Sequence, residues 1–309
     1  MKEDYPTTLM ALEKRFASET ACREYLAILR WPRGFVCPAC GEANAGRMQC
    51  GLWHCRGCHR QTSVLAGTVF QDSHLSLMIW FRAMWHMTSQ KNGISALGLQ
   101  RVLGLGSYRT AWMMLHKLRR AMVQPGRERL RGLVEVDEAY WGAAEAGVIG
   151  RHTETKALLA VAVELKGTDR GRVRLAALPN VYGSTLQRFL DYAVEPGSTV
   201  RTDGLPAYLQ MKGYTHERRI QKHQTDGEHL LPHVHRVISL LKRWLLGTHQ
   251  GAVSHAHLDG YLAEFTFRFN RRLSTSRGKL FYRLVQQVAQ VPPQPYIVVM
   301  RPQPVVPNE

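Results

Sequence analysis

The spacing of apolar residues changes along the chain, and each change predicts a different kind of structure. Over residues 8–29, Leu9, Leu12, Phe16, Tyr25, Leu26 and Leu29 recur near a helical period and predict one or two short helices. From Ser73 to Met87 the stripe is stricter, with Leu77, Trp80, Phe81, Met84 and Trp85 at i, i+3, i+4, i+7 and i+8, the buried face of a packed helix. Asn92-Gly93-Ile94-Ser95 can cap a helix that runs through Leu103, Gly104-Leu105-Gly106-Ser107 makes a turn, and Tyr108 to Met122 forms the next helix. This pair predicts a helix-turn-helix-like unit whose second helix would enter a major groove.

Past Pro125-Gly126 the texture becomes β-rich. Leu133 to Asp137, Ala157 to Leu165 and Val173 to Leu178 predict three strands; a helix over Thr185 to Val194 follows, then strands at Thr199 to Asp203 and Tyr214 to Ile220. Helical patterns at 232–247 and 255–271 complete the region, so the prediction is an α/β layout with a mixed sheet and flanking helices. From Val291 onward six of the chain's 14 prolines gather, which predicts a weakly ordered tail.

Length and charge narrow the possibilities. At 309 residues the chain exceeds what one modest core serves, and 45% hydrophobic with 21% charged residues excludes wholesale disorder and collagen-like repeats. The longest purely apolar run, Ala157 to Val163, is far short of the roughly 20 residues of a membrane span, and Met1-Lys2-Glu3-Asp4 does not open a signal peptide. A cytoplasmic protein is expected. With 41 Lys and Arg against 24 Asp and Glu, the net charge of +17 points to a polyanionic partner, nucleic acid before a membrane surface because no lipidation motif is present. Between Gly106 and Arg131 seven basic residues stand against one acid, which makes Arg109, Lys117, Arg119 and Arg120 candidate DNA contacts.

Cys37-Pro-Ala-Cys40 and Cys55-Arg-Gly-Cys58, separated by 14 residues, form two knuckles able to bring four thiolates to one structural zinc ion. Cys22 and Cys50 lie outside this pattern and read as buried or idle thiols. Two predicted strands end in Asp137 and Asp203; as neighbours they would hold carboxylates close enough to share divalent metal ions, with Glu135 one pleat back on Asp137's face. The 232–247 helix carries His235, Ser239 and Lys242 at i, i+4 and i+7 beside its apolar stripe. In the next helix Glu264, Arg268 and Arg271 share a polar stripe, and Glu264 with Arg268 is most simply an i,i+4 ion pair worth a few tenths of a kcal/mol.

Taken together, Cys37-Pro-Ala-Cys40-Gly41, Cys55-Arg-Gly-Cys58 with Arg60-Gln61-Thr62-Ser63, Gly67-Thr68, Val134-Glu135-Val136-Asp137-Glu138-Ala139-Tyr140, Thr202-Asp203-Gly204, Leu241-Lys242-Arg243-Trp244 with Gly247-Thr248, and Tyr261-Leu262-Ala263-Glu264-Phe265 running into Phe267 to Arg272 carry a resemblance. Over about residues 10–285 the chain resembles bacterial insertion-sequence transposases of the DDE superfamily, the group with a zinc ribbon ahead of an RNase H-like catalytic domain. The resemblance implies N-terminal helices over 1–30, a zinc ribbon over 31–66, a helical DNA-binding domain over 67–125, a catalytic domain over 126–285 and a Pro-rich tail over 286–309. It further implies binding of terminal inverted repeats and of target DNA by a homodimer or higher oligomer, with metal-dependent strand cleavage and transfer.

Within that resemblance Asp137 and Asp203 are ligands for Mg²⁺ or Mn²⁺, Lys242 holds the place of a lysine seven residues past the third ligand, and His235 stands where a Glu is usual. Imidazole suits softer ions than Mg²⁺, so either His235 serves, which is favoured, or Glu264 fills the role from the following helix. Lys242 with Arg268, Arg271 and Arg272 would hold backbone phosphates. A zinc-ribbon DNA-binding regulator that no longer cleaves, and an RNase H-like nuclease without strand joining, are the alternatives.

Overall fold

The computed structural model describes residues 3–123, 126–142, 156–220 and 230–301. The chain folds as two compact units, one formed by Met1–Gln124 with Leu273–Met300 and the other centred on Pro125–Arg272.

In the first unit, α1 (Leu9–Arg15), α2 (Glu19–Arg30), α3 (Leu77–Ser89), α4 (Ala96–Leu103) and α5 (Tyr108–Ala121) each begin at a Ser or Thr whose hydroxyl accepts a first-turn N–H, from Thr8, Ser18, Ser76, Ser95 and Ser107 respectively. α4 ends on Gly104 in the left-handed conformation (φ 62°), which frees the chain to turn into α5. The expected helix pair is therefore present with a short connection. Phe16, Tyr25, Phe81, Trp85 and Phe281 form an aromatic centre, with Phe16 and Phe81 edge to face at 4.7 Å. Between α2 and α3, β1 (Ala45–Arg47), β2 (Trp53–Cys55) and β3 (Gln61–Thr62) make a small antiparallel ribbon on which Phe35 and Trp53 stack at 5.1 Å.

Phe281 belongs to α9 (Arg277–Val288), which packs on α2, α3 and α5. Gly278 lies so close to the Pro6 carbonyl that a Cβ would come within 1.8 Å of its oxygen. α9, which falls inside the expected 126–285 domain, buries its apolar face in the first unit, and the main segment of the second unit runs from Pro125 to Arg272. Tyr296–Met300 forms a short α10 against α5, with Val299 buried, while residues 302–309 lie outside the described residues.

The second unit is a five-stranded sheet of β4 (Leu133–Trp141), β5 (Ala157–Lys166), β6 (Asp169–Leu178), β7 (Thr199–Thr202) and β8 (Thr215–Arg218), in the order β6-β5-β4-β7-β8. The first three pair antiparallel; β7 and β8 join in parallel, a mixed sheet as expected. β5, an interior strand, is covered on both faces, which is why its sequence holds an unbroken apolar run. Val134, Val136, Leu158, Ala160 and Ala162 face α6 (Gly183–Ala193). Ala139, Trp141, Leu159, Val161 and Val163 face α7 (Pro232–His249) and α8 (Leu258–Phe269).

Candidate active site

Asp137 does not end its strand, as the sequence pattern suggested. β4 continues to Trp141, so Asp137 lies mid-strand, paired with Val161 of β5. The β4–β7 pairing runs from Leu133 with Thr199 to Glu135 with Arg201, and Asp203 follows just past the end of β7. Oδ1 of Asp203 accepts the N–H of Leu205 at 2.9 Å, a turn that holds the carboxylate at the strand tip.

The first turn of α7 supplies the third group. Nε2 of His235 lies 3.1 Å from Oδ2 of Asp137, and the imidazole is half exposed. The Asp137 hydrogen bond, with the added fields of Glu135 and Asp203, holds the imidazole pKa above its ordinary value although partial burial opposes this. Two carboxylates and an imidazole are a donor set that could hold a divalent cation of the Mg²⁺ or Mn²⁺ type. Lys242 follows on α7, half-buried, at i+7 from His235.

Glu264 stands elsewhere. It is fully buried on α8, which packs on β6, two strands away from β4, and its carboxylate lies 3.3 Å from Arg268. The structure thus brings His235, and not Glu264, to Asp137.

Two side chains that sequence reasoning passed over complete the surroundings. Tyr208, in the short 3₁₀ turn Pro206–Tyr208 after Asp203, is buried and donates its hydroxyl to Glu138, the neighbour of Asp137 on the opposite face of β4. Burial and the Glu138 carboxylate push the phenol well above its usual pKa, with Asp137 and Asp203 adding to the effect. Thr202 Oγ1 pairs with Nε2 of His216 at 2.8 Å, which ties β7 to β8 directly below Asp203. Only the burial of a Tyr five residues past Asp203 could have signalled this, and no sequence period reveals it.

In the ribbon, the Sγ atoms of Cys37, Cys40, Cys55 and Cys58 lie within 4.8 Å of one another, and among the described residues they are the one such metal-ligating group that tight. Backbone N–H groups of Ala39 and Cys40 favour the Cys37 thiolate, as a knuckle turn does. This fits a closed structural zinc site. Cys22 is buried, which pushes its thiol up to about 12, and Cys50 is exposed.

The basic candidates divide sharply. Arg119 is 1% exposed and lies beside His116, so it does not reach DNA; it shares the inward face of α5 with Leu115 and Leu118. Lys117 is partly buried, which lowers its pKa, whereas Arg120 is exposed and Arg109 lies 4.5 Å over the Tyr296 ring. Arg268 pairs with Glu264, Arg271 stacks on Phe267 at 3.9 Å, and Arg272 donates to the Gly171 carbonyl and stacks on Phe269. These three brace α8 and β6 rather than forming an open cationic patch.

Comparison with known proteins matches both parts of the chain. Residues 129–270 match the ISXO2-like transposase domain, the span that holds Asp137, Asp203 and His235. Residues 17–61 match the transposase zinc-ribbon domain, the span that holds all four ribbon cysteines. Between them the two matches make the chain similar to the zinc-ribbon-headed DDE transposases. A relative from Halobacterium salinarum, described as "Uncharacterized protein in transposable element ISH50", is 28% identical over 305 residues, covering 89% of this chain and 98% of the relative. The transposase domain as matched stops at residue 270, close to where the second unit ends at Arg272. Among the described residues no helix is long and apolar enough to cross a membrane.

Proposed function

We propose that this protein is the transposase of an insertion sequence, which binds the terminal inverted repeats of its element and catalyses metal-dependent strand cleavage and strand transfer on DNA. The observation that carries the reading is the meeting of Asp137 with His235 at 3.1 Å, beside the strand tip that bears Asp203, in a chain with a net charge of +17.

Asp137, Asp203 and His235 would hold the catalytic Mg²⁺ or Mn²⁺. When bound, such ions lower the pKa of an attacking water or 3′-hydroxyl and stabilise the leaving oxygen of an in-line displacement. Asp137 presents its carboxylate from a strand buried on both sides, so its position is set by the sheet and not by a loop. Asp203 is fixed by its bond to the Leu205 amide, and His235 by the first turn of α7. Lys242, two helical turns from His235, would hold a backbone phosphate next to the reacting bond. Arg109, Lys117 and Arg120 on α5, together with the zinc ribbon, would bind the element end. Cutting and joining two ends in one event calls for at least two copies of the chain.

The test is incubation of the full-length, zinc-loaded protein with duplex carrying the inverted repeats that flank its reading frame, in Mg²⁺ and in Mn²⁺. Nicks at the element boundary and joined products, both abolished by Asp137→Asn and Asp203→Asn, are expected. Binding without cutting would make the protein a regulator, and cutting without joining a nuclease.

A further inference from the structure

α7 begins at Pro232, preceded by Leu231, which has no side-chain oxygen to cap it. A helix start leaves N–H groups without intrahelical partners, and burying them unpaired is costly. Here the acceptor comes from another element. Oε2 of Glu135, on β4, accepts the N–H of His233 and the N–H of Val234, both at 2.9 Å. Glu135 is fully buried, and its other oxygen, Oε1, is 3.7 Å from Nη1 of Arg201, which in turn bonds Glu217. A fully buried carboxylate is costly unless paired, and this one is placed where the helix dipole and a guanidinium both favour it.

The spacing gives the arrangement its consequence. Glu135 and Asp137 are two residues apart on one face of β4; Val234 and His235 are adjacent on α7. One carboxylate takes the helix amides while the next meets the imidazole, so the bond from Glu135 fixes both the height and the rotation at which His235 arrives at Asp137.

We infer that Glu135 is a positioning residue, which caps α7 from the sheet and thereby sets His235 against Asp137 for metal binding. This rests on the reading that Asp137 and His235 are metal ligands. It predicts a dependence on side-chain length more than on charge. Gln at 135 keeps the length and one acceptor oxygen for the two amides; Asp keeps the charge but falls one methylene short of them.

The experiment is Mn²⁺ binding to the full-length, zinc-loaded protein, followed by the electron paramagnetic resonance signal of free Mn²⁺. Wild type, Glu135→Gln, Glu135→Asp, Asp137→Asn, His235→Ala and the Glu135→Asp, His235→Ala double variant are compared. Glu135→Gln should stay within about 3-fold of wild-type affinity, and Glu135→Asp should lose about 10-fold, the lower end for a group that orients a metal ligand. In the His235→Ala background Glu135→Asp should cost nothing further, because the position it sets has been vacated. Leu190→Ala, a fully buried site on α6 under the opposite face of the sheet, controls for general loosening and should leave Mn²⁺ binding unchanged.

Wild-type affinity in Glu135→Asp, an undiminished loss in the double variant, or an equal loss in Leu190→Ala would overturn the inference while leaving the metal site in place. Wild-type Mn²⁺ binding by Asp137→Asn would instead overturn the metal-site reading, and the inference with it.

Discussion

Arg172 closes a two-pronged fork on Glu164, with Nη2 at 2.8 Å from Oε1 and Nε at 3.0 Å from Oε2. Glu164 is buried, which alone would raise its pKa, but the fork and the backbone N–H groups of Arg131 and Arg172 outweigh burial and hold it below the usual carboxylate range. A carboxyl depressed on folding contributes stability above its unfolded pKa of about 4.3, and that contribution is lost as pH falls through the folded value. Thermal melting from pH 7 to pH 3 should therefore show a steeper fall below about pH 4.3 in wild type than in Glu164→Gln.

His235→Ala should slow cleavage of element-end DNA by about 10²-fold or more, near the upper end for loss of a supporting metal partner. Because imidazole favours softer ions, Mn²⁺ should support the wild-type reaction better than Mg²⁺, and His235→Glu should move the preference back toward Mg²⁺. Single-turnover rates in the two metals check both. Glu264→Ala should leave the chemistry largely intact, yet its cost to stability exceeds the surface ion pair that its i,i+4 spacing suggests. The carboxylate is fully buried and Arg268 is 11% exposed, so removing one partner should destabilise by about 3–5 kcal/mol, read by denaturant unfolding.

Purified protein should carry one zinc per chain by elemental analysis, held by Cys37, Cys40, Cys55 and Cys58. Cys55→Ser should release it and melt the ribbon, since structural zinc and folding are one equilibrium in a site this small. A chelator should do the same and should weaken DNA binding without changing the far-ultraviolet signal of the helices in the second unit.

Phe281→Ala should cost about 3–5 kcal/mol, because the ring is completely buried against Phe16, Phe81 and Trp85. Truncation after Arg272 should be worse, and limited proteolysis should then degrade the N-terminal helices. Survival of a folded fragment 1–125 would contradict the packing of α9.

The strands and helices were largely legible in the sequence, since the apolar run Ala157 to Val163 and the periodic stripe of α3 are both local signals. Asp137 and Asp203 could be singled out because the strands that carry or precede them have clear patterns. What escaped depends on partners distant in the chain. Nothing near Phe281 says that it packs on Phe81, two hundred residues earlier. Arg119 looks like its exposed neighbour Arg120 until the helix face is known, and burial inverts its reading. Asp137 looked like a strand end because polar Glu138 follows it, whereas Glu138 is accommodated by Tyr208 from beyond β7.

The return of α9 to the first unit also dictates the order of events at the ribosome. The groove between α2 and α3 is made early, but the helix that fills it is encoded after an intervening segment of roughly 150 residues. At synthesis rates of about 5–20 residues per second that is a wait of roughly 7–30 s, during which Phe16, Phe81 and Trp85 lack their partner. The Pro125–Arg272 segment of the second unit, unbroken in sequence, can finish folding first. Nascent chains of this protein should therefore need chaperone cover at their N-terminal end, and that need should vanish once residue 288 has left the exit tunnel.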